Sequence, residues 1–242
     1  MKSKLMRILA LLLFAVGAII SLAIAAIAFT GDMEATLFSA GLAHLRDESL
    51  PTLRCPVFVT TAAPGTVRAT FKNPLDDPVE FNVRVHVSQY TTMWREENAT
   101  LSVAAHDSER LEWTVTADDT VQGNLILVKV LRFRRYPLPA LLGSCGILVV
   151  NLPFGSGNQL LILGLAIIVL GLVGGTALWM SANRPLIGRR LDAARALQAM
   201  TVALLLGLTL SLLGGWVLGI LLLAANLLLI GAIVGHFVSQ SS

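Results

Sequence analysis

One run in this sequence places a base, an acid and a hydroxyl nucleophile side by side, namely His106-Asp107-Ser108. Nucleophilic catalysis needs these three groups to meet at one point, whereas consecutive side chains in a turn point apart. The run is therefore expected to be a solvated turn. We accordingly predict a protein that is not an enzyme and has no catalytic residues.

Metal binding is the second chemistry to consider, because Glu96-Glu97 and Asp118-Asp119 are neighbouring carboxylates of the kind that bind Ca²⁺. Solvation is the expected state of both pairs. His44, His86 and His106 lack the spacing of metal ligands, and the chain has no glycine-rich phosphate loop. The sequence therefore predicts no metal and no cofactor.

The chain has two cysteines, Cys55 and Cys145. They bracket a segment rich in predicted strands, one just before its first strand and the other after its last. We predict a disulfide, which would close a loop of about 90 residues and contribute about 4–5 kcal/mol on the chain-entropy model. Two free thiols are the alternative.

The composition predicts an integral membrane protein. The 242 residues are 55% hydrophobic and 14% charged, against about 25% charged in soluble domains. Residues 136–183 and 196–242 contain no charge at all, which predicts several membrane spans. A disordered chain, a small disulfide scaffold and a nucleic-acid binder are excluded, the last because no basic cluster is large enough.

Four spans are predicted, and each is mainly apolar. The first follows the basic N-terminus and is expected to be a retained anchor, with a cleaved signal peptide as the alternative. The last two are joined by a tight turn at Gly214-Gly215-Trp216. The spans are residues 8–29, 160–180, 199–213 and 217–237.

Basic residues set the predicted orientation. By the positive-inside rule, residues 1–7, 181–198 and 238–242 are cytoplasmic. These parts carry a net charge of +6, whereas residues 30–135 carry −3. The localisation that follows is the cytoplasmic membrane, with residues 30–154 outside. The basic residues concerned are Lys2, Lys4, Arg7, Arg184, Arg189, Arg190 and Arg195.

Residues 136–154 are uncharged but are not predicted to span the membrane. They contain Pro137, Pro139 and Pro153 with Gly143 and Gly146, and helix breakers at this density argue against a helix in lipid. We interpret the segment as the end of the external domain, dipping toward the membrane surface. Residues 30–54 are interpreted as a linker, either a short amphipathic helix around Leu37, Phe38, Leu42 and Leu45 or a flexible stalk.

Residues 55–154 are predicted to form the external domain, because apolar residues alternate with polar ones from Cys55 onward. About six or seven short strands separated by turns are typical of an antiparallel sandwich. The strand and turn Gly65-Thr66-Val67-Arg68-Ala69-Thr70-Phe71-Lys72-Asn73-Pro74 is followed by alternating valines and by the strands of residues 101–115.

Over residues 65–130 this pattern resembles the immunoglobulin-like modules of bacterial cell-surface proteins. With the spans included, the chain resembles bacterial multi-pass membrane proteins that carry one external immunoglobulin-like domain, a resemblance that implies no catalytic residues. The usual Cys-Trp-Cys pattern of antibody domains is absent.

Polar and small residues within the spans predict close helix packing. Asn226 is expected to form a hydrogen bond between helices, with a role as substrate ligand as the alternative. Glycine pairs spaced four residues apart allow helices to approach closely. They are Gly171 with Gly175, Gly215 with Gly219, and Gly231 with Gly235.

A last basic group lies near the end of the predicted sandwich. It consists of Lys129, Arg132, Arg134 and Arg135. It could contact lipid phosphates or an acidic partner where the chain re-enters the bilayer. A solvated strand end is the favoured interpretation of this group.

The predicted architecture is a bundle of four transmembrane helices with an all-β immunoglobulin-like sandwich inserted between helices 1 and 2. The leading hypothesis is a non-enzymatic envelope protein that presents this domain for protein interaction, or an accessory subunit of a membrane complex. Its expected partners are membrane lipids and a protein partner or a second copy, and not nucleic acid. A transporter or channel component with a pathway near Asn226 is the alternative.

Overall fold

The computed structural model describes residues 2–39, 48–90, 93–121 and 123–214, and helical residues 218, 219, 221, 222, 224–226 and 228. The chain forms two compact units, Met1–Phe29 with Ile162–Ser242, and Thr30–Leu161. Within the described residues, three helices are long and apolar enough to span a membrane: Lys4–Leu37, Gly157–Ala182 and Arg189–Leu212.

The helices are longer than the predicted spans. Helix α1 covers Lys2–Leu37 and contributes residues to both units. Helices α2 (Gly157–Val169) and α3 (Gly175–Ala182) are joined by a π-helical turn, Leu170–Gly174. Helix α4 covers Arg189–Leu212.

Two predictions for residues outside the β domain are changed by these bounds. The linker begins as helix, because α1 continues to Leu37, while Leu42 and Leu45 lie outside the described residues. The loop predicted over residues 181–198 is shorter than that range, because Arg189, Arg190 and Arg195 belong to the first turns of α4. Arginine is a good helix former and does not interrupt a helix that continues into apolar sequence.

The fourth predicted span lies mostly outside the described residues, as do Gly215, Gly231 and Gly235. Its described residues are helical, and Gly219 lies against the side chain of Ser211 in α4.

Glycines bring α1 into backbone contact with the π-helical turn and with the start of α3. A Cβ atom on Gly171 would lie 2.8 Å from Gly17 Cα and 2.8 Å from Leu13 O. A Cβ atom on Gly175 would lie 2.8 Å from Phe14 N. Because the obstructing atoms are backbone atoms, no side-chain movement can make room for a larger residue here.

We expect Gly171→Leu to destabilise the helical unit by about 1–3 kcal/mol, the usual cost of overpacking. Gly174→Leu is the matched control, since a Cβ atom there meets no described atom within 4 Å. Thermal unfolding of both variants in the same detergent measures the difference. Equal midpoints for the two variants would contradict this packing.

The second unit is built from two sheets. The larger sheet has the order β1-β8-β7-β4-β5, with β2 also paired to β8, and the smaller sheet pairs β3 with β6. The strands are β1 (Glu48–Ser49), β2 (Phe58–Thr60), β3 (Gly65–Lys72), β4 (Val79–Gln89), β5 (Met93–Val103), β6 (Ser108–Val115), β7 (Leu125–Arg132) and β8 (Leu141–Val150).

Both sheets contribute to one hydrophobic core. Phe71 and Trp113 come from the smaller sheet, and Phe81, Val128 and Ile147 from the larger. Apolar residues at every second position of β3, β4 and β7 point to this core, as the alternation predicts.

The prediction of antiparallel strands holds for the pairs among β3 to β8 but not for β1 and β2, so the larger sheet is mixed. β1 and β2 both pair in parallel with β8. Parallel pairing needs a long connection between the two strands, and here the connection contains most of the domain.

Residues 136–154 contain strand β8, whose residues 141–148 pair antiparallel with the whole of β7. Cys145 therefore lies within the last strand and not after it, which corrects the predicted position. The structure joins Cys145 to Cys55, with the two Cα atoms 6.5 Å apart, inside the usual range for a disulfide.

Candidate functional site

A row of four polar residues crosses one face of the larger sheet. Glu96 of β5 lies opposite His86 of β4, His86 opposite Lys129 of β7, and Lys129 opposite Ser144 of β8. Residues directly opposite each other point to the same face. The residues before and after His86 and Lys129 on their strands point into the core. The row therefore lies on the outer face of the sheet.

The end of α1 lies over this row. Lys129 is only 1% exposed, and its Nζ donates hydrogen bonds to the main-chain oxygens of Thr36 (3.1 Å), Phe38 and Ser39 (3.5 Å). The last carbonyls of a helix lack partners within the helix, and a cation is favoured there. Burial lowers the pKa of Lys129. Its amine therefore fastens the helix end to the sheet.

His86 connects the same helix end to β5. Ser39 Oγ lies 2.7 Å from His86 Nδ1, and His86 Nε2 lies 3.0 Å from Glu96 Oε2. Hydrogen bonds from Asn98 and His86 lower the pKa of Glu96. An ionised Glu96 favours a proton on Nε2, which leaves Nδ1 to accept a hydrogen bond from the Ser39 hydroxyl.

The backbones also touch beside this row. A Cβ atom on Gly31 would lie 3.1 Å from Gly146 O, and one on Gly146 would collide with the main chain of Gly31. We call Ser39, His86, Lys129 and the Gly31–Gly146 contact the helix-end latch. It joins the last turns of α1 to three strands of the sheet.

Together with Glu96, Ser39 and His86 of the latch place a nucleophile, a base and an acid within the distances of a catalytic triad, which the sequence did not predict. In serine hydrolases the ring Nε2 faces the serine and Nδ1 faces the acid; here the ring is reversed, so that Nδ1 faces Ser39 and Nε2 faces Glu96. The nearby cation, Lys129, is bonded to main-chain oxygens. The arrangement therefore fits attachment of a helix better than acyl transfer, which also needs donors for an oxyanion.

Two members of the basic group are buried, so they fit neither a solvated strand end nor a contact with lipid or a partner. Lys129 belongs to the latch. Arg132 is 3% exposed, donates to Pro139 O and lies over the ring of Phe81. Burial lowers its pKa. Arg134 and Arg135 are exposed, and strand β8 follows them, so they do not lie at the end of the last strand as predicted.

The remaining candidates from the sequence do not meet at one site. His106 is exposed, and its Nε2 lies 2.8 Å from Asp76 Oδ1. Arg95 forms ion pairs with Glu97 and, at 3.1 Å, with Asp119. Within the part of the chain that the structure describes, no three His, Cys, Asp or Glu residues are placed to hold a metal ion.

Asn226 is 2% exposed, and its Nδ2 donates to Leu222 O at 2.9 Å. This bond lies within its own helix rather than between helices. Its Oδ1 is buried and unpaired among the described residues.

No family model matches this chain, and no curated protein matches it. The solved structures that resemble it include the CARDB domain of a Pyrococcus furiosus protein, with 15% identity and a TM-score of 0.33 over 41% of this chain and 90% of that chain. Red sea bream transglutaminase shares 14% identity, with a TM-score of 0.32 over 42% of this chain and 17% of that chain. A β-glucosidase from Listeria innocua shares 13% identity, with a TM-score of 0.30 over 41% and 15%. At these TM-scores the likeness carries no argument about function.

Proposed function

We propose that this chain is a non-enzymatic membrane protein that presents an immunoglobulin-like β-sandwich outside the cytoplasmic membrane, as an accessory subunit that binds another protein. The free edge of β5 carries this proposal. β5 is the outer strand of the larger sheet, and among the described residues no strand pairs with its other edge. A free edge of this length can accept a strand from a partner.

Charged residues on β5 suit a selective partner. Arg95, Glu96 and Glu97 all lie on this strand, and charge on an edge strand disfavours indiscriminate pairing. A partner that binds here therefore needs complementary charge as well as a free strand.

Photocrosslinking from native membranes tests the proposal. A benzoylphenylalanine at Ser102, exposed on β5, is compared with one at Thr66, exposed on β3. We expect a discrete crosslinked protein from position 102 and none from position 66, followed by co-purification of that protein in mild detergent. Repeated recovery of the bare monomer, with no crosslink from position 102, would contradict the proposal.

The absence of enzyme activity is tested at Ser39. We expect a fluorophosphonate probe to leave Ser39 unmodified in the folded protein. The imidazole of His86 is reversed, and the amine of Lys129 is hydrogen-bonded to main-chain oxygens, so these groups do not form an acyl-transfer site. Mass spectrometry of the probe-treated protein measures this, with Ser39→Ala as the control. Labelling that is lost in both Ser39→Ala and His86→Ala would overturn the non-enzymatic assignment.

The unpaired Oδ1 of Asn226 is the observation that favours the second candidate, a transport pathway. Buried polar groups in spans are costly and are commonly kept for function. Asn226→Leu separates the two: a pathway predicts loss of flux at unchanged stability, whereas helix packing predicts altered stability alone.

A further inference from the structure

Large exposed apolar side chains gather at one end of the β unit. Tyr90 and Met93 are 83% and 68% exposed and flank the tip of the β4–β5 hairpin, with Trp94 beside them at 38%. Trp94 also stacks on His86 with ring centroids 5.4 Å apart. Phe154, between β8 and α2, is 70% exposed. We call these four residues the aromatic rim.

The strand register places the whole rim at the same end of the larger sheet. β4 and β7 are antiparallel, with Val87 opposite Val128, so the hairpin tip lies beside the start of β7. β7 and β8 are antiparallel, with Leu125 opposite Leu148, so the start of β7 lies beside the end of β8. Phe154 follows that end of β8.

Helices α1 and α2 both join the sheet at this end. The first residue of α2, Gly157, touches the main chain of Phe58, which pairs with Leu148. α1 meets the sheet first at Gly146 and only later, through Thr36, reaches Lys129 farther along. α1 therefore enters at the end where α2 leaves.

We propose that the aromatic rim is seated in the lipid headgroup region of the membrane that α1 and α2 cross. Tyr and Trp concentrate at the membrane interface because each ring has an apolar body and a polar atom. The connection between β8 and α2 has about six residues and reaches at most about 20 Å, which keeps this end of the sheet close to the bilayer.

The opposite end of the sheet carries an exposed tyrosine next to two arginines. Tyr136 is 88% exposed there, but it follows Arg134 and Arg135 in the connection between β7 and β8. It therefore provides a matched control, being a tyrosine of similar exposure at the end away from both helices.

The test uses the full-length protein in phosphatidylcholine and phosphatidylglycerol vesicles. Tyr90→Cys and Tyr136→Cys are each labelled with the fluorophore NBD, while Cys55 and Cys145 stay in their disulfide. We expect blue-shifted emission at position 90 that lipid-borne nitroxides quench, and emission typical of water at position 136 that aqueous iodide quenches. Met93→Cys repeats the measurement within the rim.

Water-like emission at positions 90 and 93, equal to that at position 136, would overturn the proposal. So would a label at position 90 that is exposed in vesicles but shielded in native membranes, because a protein partner would then cover the rim. Both outcomes are independent of whether a partner binds the edge of β5.

Discussion

Replacing Cys55 and Cys145 together by alanine is expected to lower the free energy of unfolding of the β unit by about 2–5 kcal/mol. The disulfide joins residues separated by 90 positions, so its loss releases nearly the whole domain in the unfolded state. It also removes a buried contact, because Cys145 is 8% exposed within the core. Pulse proteolysis in urea, with the full chain in detergent, measures the shift in midpoint.

The double substitution is preferable to a single one, because a single substitution leaves a free thiol. Reductant is the internal control: it should lower the midpoint of the unsubstituted protein and leave the double variant unchanged. A midpoint that neither reductant nor substitution alters would contradict a stabilising disulfide.

The second large effect is expected from the helix-end latch. Lys129→Ala should destabilise the β unit by about 2–4 kcal/mol, because it deletes buried side-chain packing and leaves helix-end carbonyls without a donor. These carbonyls belong to Thr36, Phe38 and Ser39. Protease cleavage near the end of α1 should rise together with the fall in the urea midpoint.

Gly146→Ala should disrupt the backbone contact of the same latch, since a Cβ atom there collides with the main chain of Gly31. Ser144→Ala, on the same strand, is the control and should change the midpoint by much less. If Gly146→Ala and Lys129→Ala both leave the end of α1 protected, the latch does not hold the helix to the sheet.

Strands that bury one face were predictable from the sequence. In β4, Phe81, Val83, Val85 and Val87 alternate with polar residues, and this period of two is the signal for a half-buried strand. The three apolar helices were predictable for a similar reason, because a long charge-free stretch has few alternatives to a membrane.

The latch could not be predicted, because its members are far apart in the sequence. Ser39 and His86 are separated by 47 positions and Lys129 and Thr36 by 93, and no local pattern links them. His86 and Lys129 occupy polar positions of their strands, which the alternation assigns to solvent. Both are buried because the end of α1 covers that face.

One signal for the latch was present in the sequence. Gly146 lies within strand β8, and a glycine inside a strand often marks close approach of another backbone. Taken only as a helix breaker, it argued against a span and did not reveal its contact with Gly31. The parallel pairing of β1 was missed because two residues are too few to show periodicity.

Labelling with a membrane-impermeant thiol reagent tests the central claim, that the β unit lies outside the cytoplasm. Tyr136→Cys reports on the β unit and Ile187→Cys on the loop before α4, where the side chains are 88% and 73% exposed. Neither substitution alters the charges that set orientation. We predict that Tyr136→Cys reacts in intact spheroplasts and that Ile187→Cys reacts only after permeabilisation. Reaction of Ile187→Cys in intact spheroplasts, with Tyr136→Cys protected, would contradict the account.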